Sequence, residues 1–189
     1  MKYELRANAQ YGMTIFFVVL AVVILVAQVV GDGWHFAALT ALFGVGMVVE
    51  AYALFMMPSI RIDAAAITLR NTYRDVRIPF SQLRVVEARY GLTLTAANGR
   101  SYHPRFFGGT TARSPYRKHQ PEPIPVISDG EISTTARTRE VEVLIGKLMD
   151  GAGRQSAGQK VSWRVAWDRV SVSVAGFVVM AVAIMALTA

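Results

Sequence analysis

The chain has 189 residues, of which 53% are hydrophobic and only 17% are charged, and its mean hydropathy is +0.35. Soluble globular domains carry about 25% charged residues, so this composition excludes an ordinary soluble domain and indicates segments that lie in a membrane. The chain contains no cysteine, which excludes disulfides, thiolate zinc sites and cysteine nucleophiles. The formal net charge is +7.

Two long apolar segments within residues 1–57 are separated by a short turn. Residues 13–30 carry no charged side chain, and Gln28 is their most polar residue. A helix needs about 20 apolar residues to cross the hydrocarbon core of a bilayer, so this segment predicts a first span. Residues 36–57 are apolar apart from Glu50 and the milder polar residues Thr40 and Tyr52, and they stop before a proline, so the second predicted span is 34–57. The sequence therefore predicts a transmembrane helical hairpin.

The C-terminal residues 170–189 carry no charge and predict a third transmembrane helix. Residues 152–169, just before it, are interpreted as a flexible linker followed by an interfacial anchor. Its two tryptophans are four positions apart and would share one helix face at headgroup depth. Packing of these rings on a neighbouring domain is the alternative. The predicted interfacial anchors are Trp163, Trp167, Arg164 and Arg169.

The basic residues predict the orientation of the chain in the membrane. Of the 20 lysines and arginines, two lie in residues 1–12 and 18 lie in residues 58–169. Lysine and arginine are enriched in cytoplasmic loops. We therefore expect a multi-pass protein of the cell (plasma) membrane, with the N-terminus and residues 58–169 in the cytoplasm and the C-terminus outside it.

The first part of the segment between the second and third spans predicts a β-sheet. From residue 60 to residue 103, short runs of alternating apolar and polar side chains are separated by turn residues, which is the pattern of strands. Asn98-Gly99 is the strongest short hairpin signal in the chain.

The second part of this segment has a different composition. Residues 104–125 are rich in proline, glycine and arginine and predict a long exposed basic loop. Ser133 and Thr134 offer helix N-caps, and the apolar residues that follow recur at helical spacing up to Gly151. The sequence therefore predicts one amphipathic helix that packs on a small sheet.

Residues 65–83 resemble the bacterial pleckstrin-homology (PH)-like domains. The resemblance rests on a strand pair, on the Ile-Pro-Phe motif at 78–80, and on a later hairpin with Asn-Gly. It extends over residues 60–148 and implies a β-sandwich or barrel closed by a C-terminal helix; a transmembrane hairpin before the domain also resembles members of this family. The expected fold is an α+β membrane protein with a cytoplasmic PH-like domain at residues 58–151.

Two groups of polar residues are candidate sites. Glu50 lies within a predicted span, where an ionised acid is unfavourable unless it is paired or reaches water. One interpretation gives it a structural contact with the interface, with Gln28 or with a serine of the third span. The other makes it a contact to a partner subunit or part of a proton path. In the basic loop, the candidate contacts to anionic lipid or to an acidic protein surface are Arg105, Arg113, Arg117 and Lys118.

The sequence offers no catalytic constellation. His35, His103 and His119 lack the spacing of metal ligands, and no motif predicts a cofactor, a nucleic acid or a small-molecule substrate. PH-like domains bind proteins, peptides and lipids alike, and a fold does not fix a function. The leading hypothesis is a non-enzymatic interaction module that serves as an accessory or scaffold subunit of a membrane complex. The alternatives are an anionic-lipid headgroup sensor and a transport or proton-path component that uses Glu50.

Overall fold

The chain divides into two compact units and passes from one to the other three times. The sheet unit comprises Met1–Asn8 and Pro58–Val165, and the helix unit comprises Ala9–Met57 and Ala166–Ala189. The computed structural model describes residues 2–34, 36–108, 124–126, 130–152 and 158–188.

Three helices of the described residues are long and apolar enough to cross a membrane. They are α1 (Asn8–Asp32), α2 (Ala37–Ala51) with the π-helical turn that extends it (Tyr52–Met56), and α4 (Trp167–Thr188). The sequence prediction of three spans is confirmed in length and composition, and α1 extends beyond the predicted segment 13–30 at both ends. The remaining α-helix of the described residues is α3 (Thr138–Ala152).

The strands of the sheet unit form a six-stranded mixed sheet in the order β8-β1-β2-β3-β4-β9 and a three-stranded sheet in the order β5-β6-β7. Only the β1–β8 pair is parallel among the pairs of the described residues. In chain order the strands are β1 (Lys2–Arg6), β2 (Ser59–Asp63), β3 (Ala66–Arg70), β4 (Arg74–Pro79), β5 (Leu83–Glu87), β6 (Thr93–Ala96), β7 (Ser101–Tyr102), β8 (Glu131–Thr135) and β9 (Ser162–Val165).

Alternation along the strands places one side of the large sheet in a shared hydrophobic core. Ile60, Ile67 and Leu69 are fully buried, and they belong to the same cluster as Leu144 and Ile145 of α3. The predicted strands of residues 60–103 and the amphipathic helix are therefore confirmed. The predicted hairpin turn is also present: β6 and β7 are joined there, and the glycine of Asn98-Gly99 has a positive φ of 76°, which glycine adopts without steric strain.

The N-terminal residues form a strand that sequence reasoning missed. Residues 1–12 were expected to be only a cytoplasmic lead into the first span. Instead, β1 lies between β2 and β8 in the large sheet, because Tyr3 and Leu5 alternate with charged residues and are buried, at 1% and 0% exposure. The sheet is thus built from chain segments on both sides of the α1–α2 hairpin.

The predicted N-caps of α3 were wrong. Ser133 and Thr134 lie in β8, where the backbone pairs with β1. The helix begins at Thr138, and its first turn is capped by Glu140, whose Oε2 accepts the backbone N–H of Arg137 at 2.8 Å. A carboxylate three residues into the helix satisfies a donor that has no partner within the helix.

The prediction that Trp163 and Trp167 share a helix face was also wrong. Trp163 lies in β9, which adds to the edge of β4 in a regular antiparallel register, and Trp167 is the first residue of α4. The segment Ser162–Val165 alternates polar and apolar residues, a pattern that favours a strand over a helix. Part of the predicted linker and anchor 152–169 therefore belongs to the sheet.

All three passages of the chain between the units occur at one end of the large sheet. The end of β1, the start of β2 and the end of β9 lie at this end, which is called the junction end below. It also carries the β3–β4 turn. The register pairs that place these strand ends together are Leu5 with Ile60, Ser59 with Arg70, Arg70 with Asp75, and Arg74 with Val165.

Candidate functional site

The β3–β4 turn at the junction end holds one of the predicted contact residues. The Asn71 N–H donates to the carbonyl of Arg74 at 3.0 Å and closes the turn. The backbone N–H of Arg105 donates to Asn71 Oδ1 at 3.1 Å, and its Nη1 donates to Thr72 Oγ1, also at 3.1 Å. Arg105 is exposed. The structure therefore brings Arg105 next to the arginine-bearing strands β3 and β4, which are about 30 residues away along the chain.

His103 supports this turn. Asn71 Nδ2 donates to the His103 carbonyl at 3.4 Å, and the His103 ring forms a hydrogen bond through Nδ1 with Thr93 Oγ1 at 3.1 Å. Within the described part of the chain no group of histidines and carboxylates is arranged to hold a metal ion. His103 is thus a side chain that organises the loop leading to Arg105.

An edge cluster of two arginines, an aspartate and a tryptophan lies where β9 joins β4. Arg164 donates through both Nε and Nη2 to Asp75 Oδ2, each at 3.1 Å. The Asp75 side chain is 5% exposed and the Arg164 side chain is 79% exposed. Arg74 lies over the Trp163 ring with its Cζ 5.0 Å from the ring centroid. The cluster therefore presents the Arg74–Trp163 pair on one face of the sheet and the Arg164–Asp75 pair on the other.

Sequence reasoning identified only part of the edge cluster. Trp163 and Arg164 were expected to be exposed, and they are. Arg74 and Asp75 were missed as their partners because they lie 89 positions earlier in the chain. The alternation of Ser162 to Val165 could have indicated a strand, but it does not indicate which strand it pairs with.

Other charges of the large sheet are paired with each other on its polar side. Glu4 accepts hydrogen bonds from Arg6 at 3.1 Å and from Arg61 at 2.9 Å. Burial of the Glu4 carboxyl raises its pKa, but the attraction and hydrogen bonds of Arg61 and Arg6 outweigh this and leave the pKa below its ordinary value of 4.5. Arg77 lies 3.0 Å from Asp63. The side chains of Arg6, Arg61 and Arg77 are also less exposed than that of Arg164, so they are weaker candidates for an external ligand than the edge cluster.

Glu50 takes part in the contact between α2 and α4. Its Oε1 accepts the hydroxyl of Ser173 at 2.7 Å, which is the bond to a serine of the third span that sequence reasoning offered as the structural interpretation. Its Oε2 is buried and has no hydrogen-bond partner within the described residues. Gln28, the other predicted intramembrane polar residue, lies in the last part of α1.

Glycines bring the same two helices close together. A Cβ atom placed on Gly46 would lie 2.9 Å from the Gly176 carbonyl oxygen and 2.7 Å from Met180, so only glycine allows this approach. The structure places Gly46 against Gly176 of α4. The Glu50–Ser173 bond lies about one turn from this point on each helix.

The expectation that Arg169 is an exposed anchor was wrong. Its side chain is fully buried, and its Nη1 lies 3.8 Å from Asp168 Oδ2. Trp167, by contrast, is 71% exposed at the start of α4. A buried guanidinium at the first turn of a helix acts as a packing element, so the exposed anchor candidates are Trp163, Arg164 and Trp167.

The predicted basic loop is only partly described. Arg113, Arg117 and Lys118 lie outside the described residues, as do His35 and His119. The beginning of the segment is ordered against the sheets, since Gly108 bridges to Gly91 and its carbonyl accepts the Thr138 hydroxyl at 2.8 Å.

Residues 57–140 match the family model described as the bacterial PH domain. The match begins at the end of the π-helical turn and ends in the first turn of α3, so it leaves β1, most of α3 and β9 outside it. No curated protein and no solved structure matches the chain significantly.

Proposed function

We infer, from the bacterial PH domain that this chain carries, that the protein is a non-enzymatic interaction module fixed to a membrane. PH-like domains bind proteins or lipids and are generally non-catalytic. The specific role we propose is that of an accessory or scaffold subunit, in which the PH domain presents a surface to other subunits of a membrane complex.

The observation that carries this proposal is the junction end. Three chain passages leave one end of one sheet, through β1, β2 and β9. A lipid-reading domain that is recruited from solution needs no such attachment. A domain fixed by three helices gains nothing in localisation from lipid binding, so its surfaces are available to position a partner.

The distribution of charge supports a cytoplasmic location for the domain. Residues 58–169 hold 18 of the 20 basic residues, and lysine and arginine are enriched on the cytoplasmic side. We therefore propose that the sheet unit lies at the cytoplasmic face of the cell membrane and that the C-terminus lies on the opposite side. Trp167, which is exposed at the start of α4, would lie at headgroup depth.

The test is affinity purification of the tagged full-length protein in mild detergent, followed by mass spectrometry. We expect other membrane protein subunits to co-purify in a fixed ratio, and the ratio to survive a wash at high salt. An untagged membrane extract is the control for background. A chain that purifies alone, with lipid only, would contradict the accessory-subunit proposal.

A second candidate, reading of anionic headgroups, is favoured by the exposed guanidiniums at the junction end. Arg74 and Arg105 lie near the points where the chain enters the helices, and basic residues near an anionic leaflet gain about 1 kcal/mol each. The loop residues Arg113, Arg117 and Lys118 would add to this attraction.

The lipid candidate is tested in the full-length protein, because β1 precedes the first span and would be missing from a fragment of the segment between the second and third spans. Native mass spectrometry should show anionic lipid bound to the wild type. Alanine at Arg113, Arg117 and Lys118 should reduce it severalfold, whereas alanine at Arg84, Arg139 and Lys147 should not. Equal lipid retention in both triple variants would remove this candidate.

A further inference from the structure

β9 ends the six-stranded sheet and has a regular, exposed outer side. Its residues pair one to one with β4 over the whole strand, without a bulge, and each of its four side chains is exposed. Within the described part of the chain, no strand pairs with its outer side. Edge strands of this kind offer backbone N–H and C=O groups to another chain unless bulges, prolines or lysines prevent it, and β9 contains none of these.

The two faces of β9 differ in chemistry. Trp163 and Val165 point to one face and are 65% and 40% exposed. Ser162 and Arg164 point to the other face, since side chains alternate along a strand. A strand added beside β9 would therefore place apolar side chains next to Trp163 on one face and would meet a guanidinium on the other.

The positive charge of Arg164 determines which kind of strand is favoured beside β9. Arg164 has Nε and Nη2 at 3.1 Å from one oxygen of Asp75, and its side chain is nevertheless 79% exposed, so its other N–H groups are available to a further acceptor. An acidic side chain opposite Arg164 is favoured, and a basic one is disfavoured. The opposite edge of the sheet, β8, carries Glu131 and no basic residue. An acidic segment therefore distinguishes the two edges.

A lipid headgroup fits this edge less well than a polypeptide does. A phosphate accepts hydrogen bonds but cannot donate to the outward carbonyls of a strand, whereas an extended chain satisfies both kinds of backbone group at the spacing of the strand.

We propose that the outer edge of β9 is the docking site for an extended segment of a partner protein in which acidic and apolar side chains alternate. This inference rests on the proposed accessory-subunit function and names the surface through which it acts. The added strand makes the sheet seven-stranded at the edge where the chain enters α4.

The probe is a fluorescein-labelled peptide of alternating valine and glutamate, added to the purified full-length protein in detergent. We expect saturable binding by anisotropy, and much weaker binding of the matching valine–lysine peptide. Amide hydrogen exchange of the wild-type protein should slow in Ser162–Val165 when the acidic peptide is added and should not change in β8. This measurement needs no substitution and so does not depend on how a variant folds.

Two substitutions test the role of charge. Arg164→Glu should weaken peptide binding about tenfold, because one attraction is replaced by repulsion, and Arg164→Gln, which keeps a donor for Asp75, should weaken it about threefold. Arg84→Glu is the matched control, because Arg84 is an exposed arginine on β5, the edge strand of the other sheet. It should leave binding unchanged.

The possible outcomes distinguish failure of the β9 docking site from failure of the accessory-subunit function. Equal binding of the lysine peptide, exchange protection on β8 or β5, or protection of β9 by anionic nanodiscs instead of by the peptide would overturn the edge site. Affinity purification of Arg164→Glu then gives an independent reading. Full retention of a partner would reject the edge but keep the accessory-subunit function, whereas a wild-type chain without any partner would reject that function alone.

Discussion

The sheet unit and the helix unit each contain a carboxylate that is removed from water, and they treat it in opposite ways. Glu4 lies in the large sheet between two arginines, at 3.1 and 2.9 Å. Glu50 lies in the α2–α4 contact and receives one neutral hydroxyl, that of Ser173, at 2.7 Å. In the sheet unit the carboxylate of Glu4 is paired with two arginines. In the helix unit the carboxylate of Glu50 accepts one hydrogen bond, at a place where the helix backbones pack closely.

The difference reflects what each environment offers. At the polar side of a sheet, arginine side chains keep part of their guanidinium in water, as Arg61 does at 52% exposure, so an ion pair forms without desolvating both partners. Between apolar helices the main stabilisation is close packing of small residues, with interhelical hydrogen bonds adding to it. We therefore expect the stability of the sheet unit to depend on pH and the stability of the helix unit to depend on side-chain volume at the α2–α4 contact.

The largest effect is expected from Gly46→Ala. The added Cβ would lie within 3 Å of the Gly176 carbonyl oxygen, and backbone cannot move aside as a side-chain end can. Overpacking of this kind should lower the free energy of unfolding by about 3 kcal/mol, measured by denaturation in mixed micelles. Gly12→Ala is the control, since nothing lies within 4 Å of the Cβ it adds. Equal stability of the two variants would show that volume does not limit the α2–α4 contact.

An intermediate effect is expected from Glu4→Gln. The substitution leaves Arg6 and Arg61 without their carboxylate and should lower the stability of the sheet unit by about 1.5 kcal/mol at neutral pH. Because the folded-state pKa of Glu4 lies below 4.5, its contribution is present above that pH and is lost as the pH falls through the folded-state pKa. The difference between wild type and variant should therefore shrink in acid. Glu87→Gln, at an exposed strand position, is the matched control for the loss of one carboxylate.

The smallest effect is expected from the Glu50–Ser173 bond. A double-mutant cycle of Glu50→Gln and Ser173→Ala should give a coupling free energy of about 0.6 kcal/mol, as interhelical hydrogen bonds commonly do. Glu50→Gln alone should retain the co-purifying subunits, because glutamine still accepts the serine hydroxyl. Loss of the partner in this variant, with unchanged stability, would instead make Glu50 a contact residue or part of a proton path.

Periodicity and turn chemistry predicted most of the fold. The three apolar helices, the strands of residues 60–103, the Asn98-Gly99 turn and the helix that covers the core all follow from local patterns of residues. The Ile-Pro-Phe motif at 78–80 also led to the PH family, which the match over residues 57–140 confirms.

The elements that were missed are those whose partners are distant in sequence. β1 has five residues and becomes recognisable only through its pairing with β2, which follows the hairpin. β9 resembled a helix because Trp163 and Trp167 have helical spacing, but the free edge of β4 decided its structure. The edge cluster could not be predicted for the same reason: Arg74 and Trp163 meet only because two strands 89 positions apart are paired.

The position of β1 also links the folding of the sheet to the order of synthesis. β1 is made first, yet its neighbours β2 and β8 follow only after the apolar hairpin has been translated. The strand can join them only if both ends of the hairpin emerge on the same side of the bilayer. A hairpin that inserted with one end on the wrong side would leave Tyr3 and Leu5 without their core and the sheet without one of its central strands. Where α1 and α2 span a bilayer, completion of the sheet therefore requires both ends of the hairpin to lie on the same side.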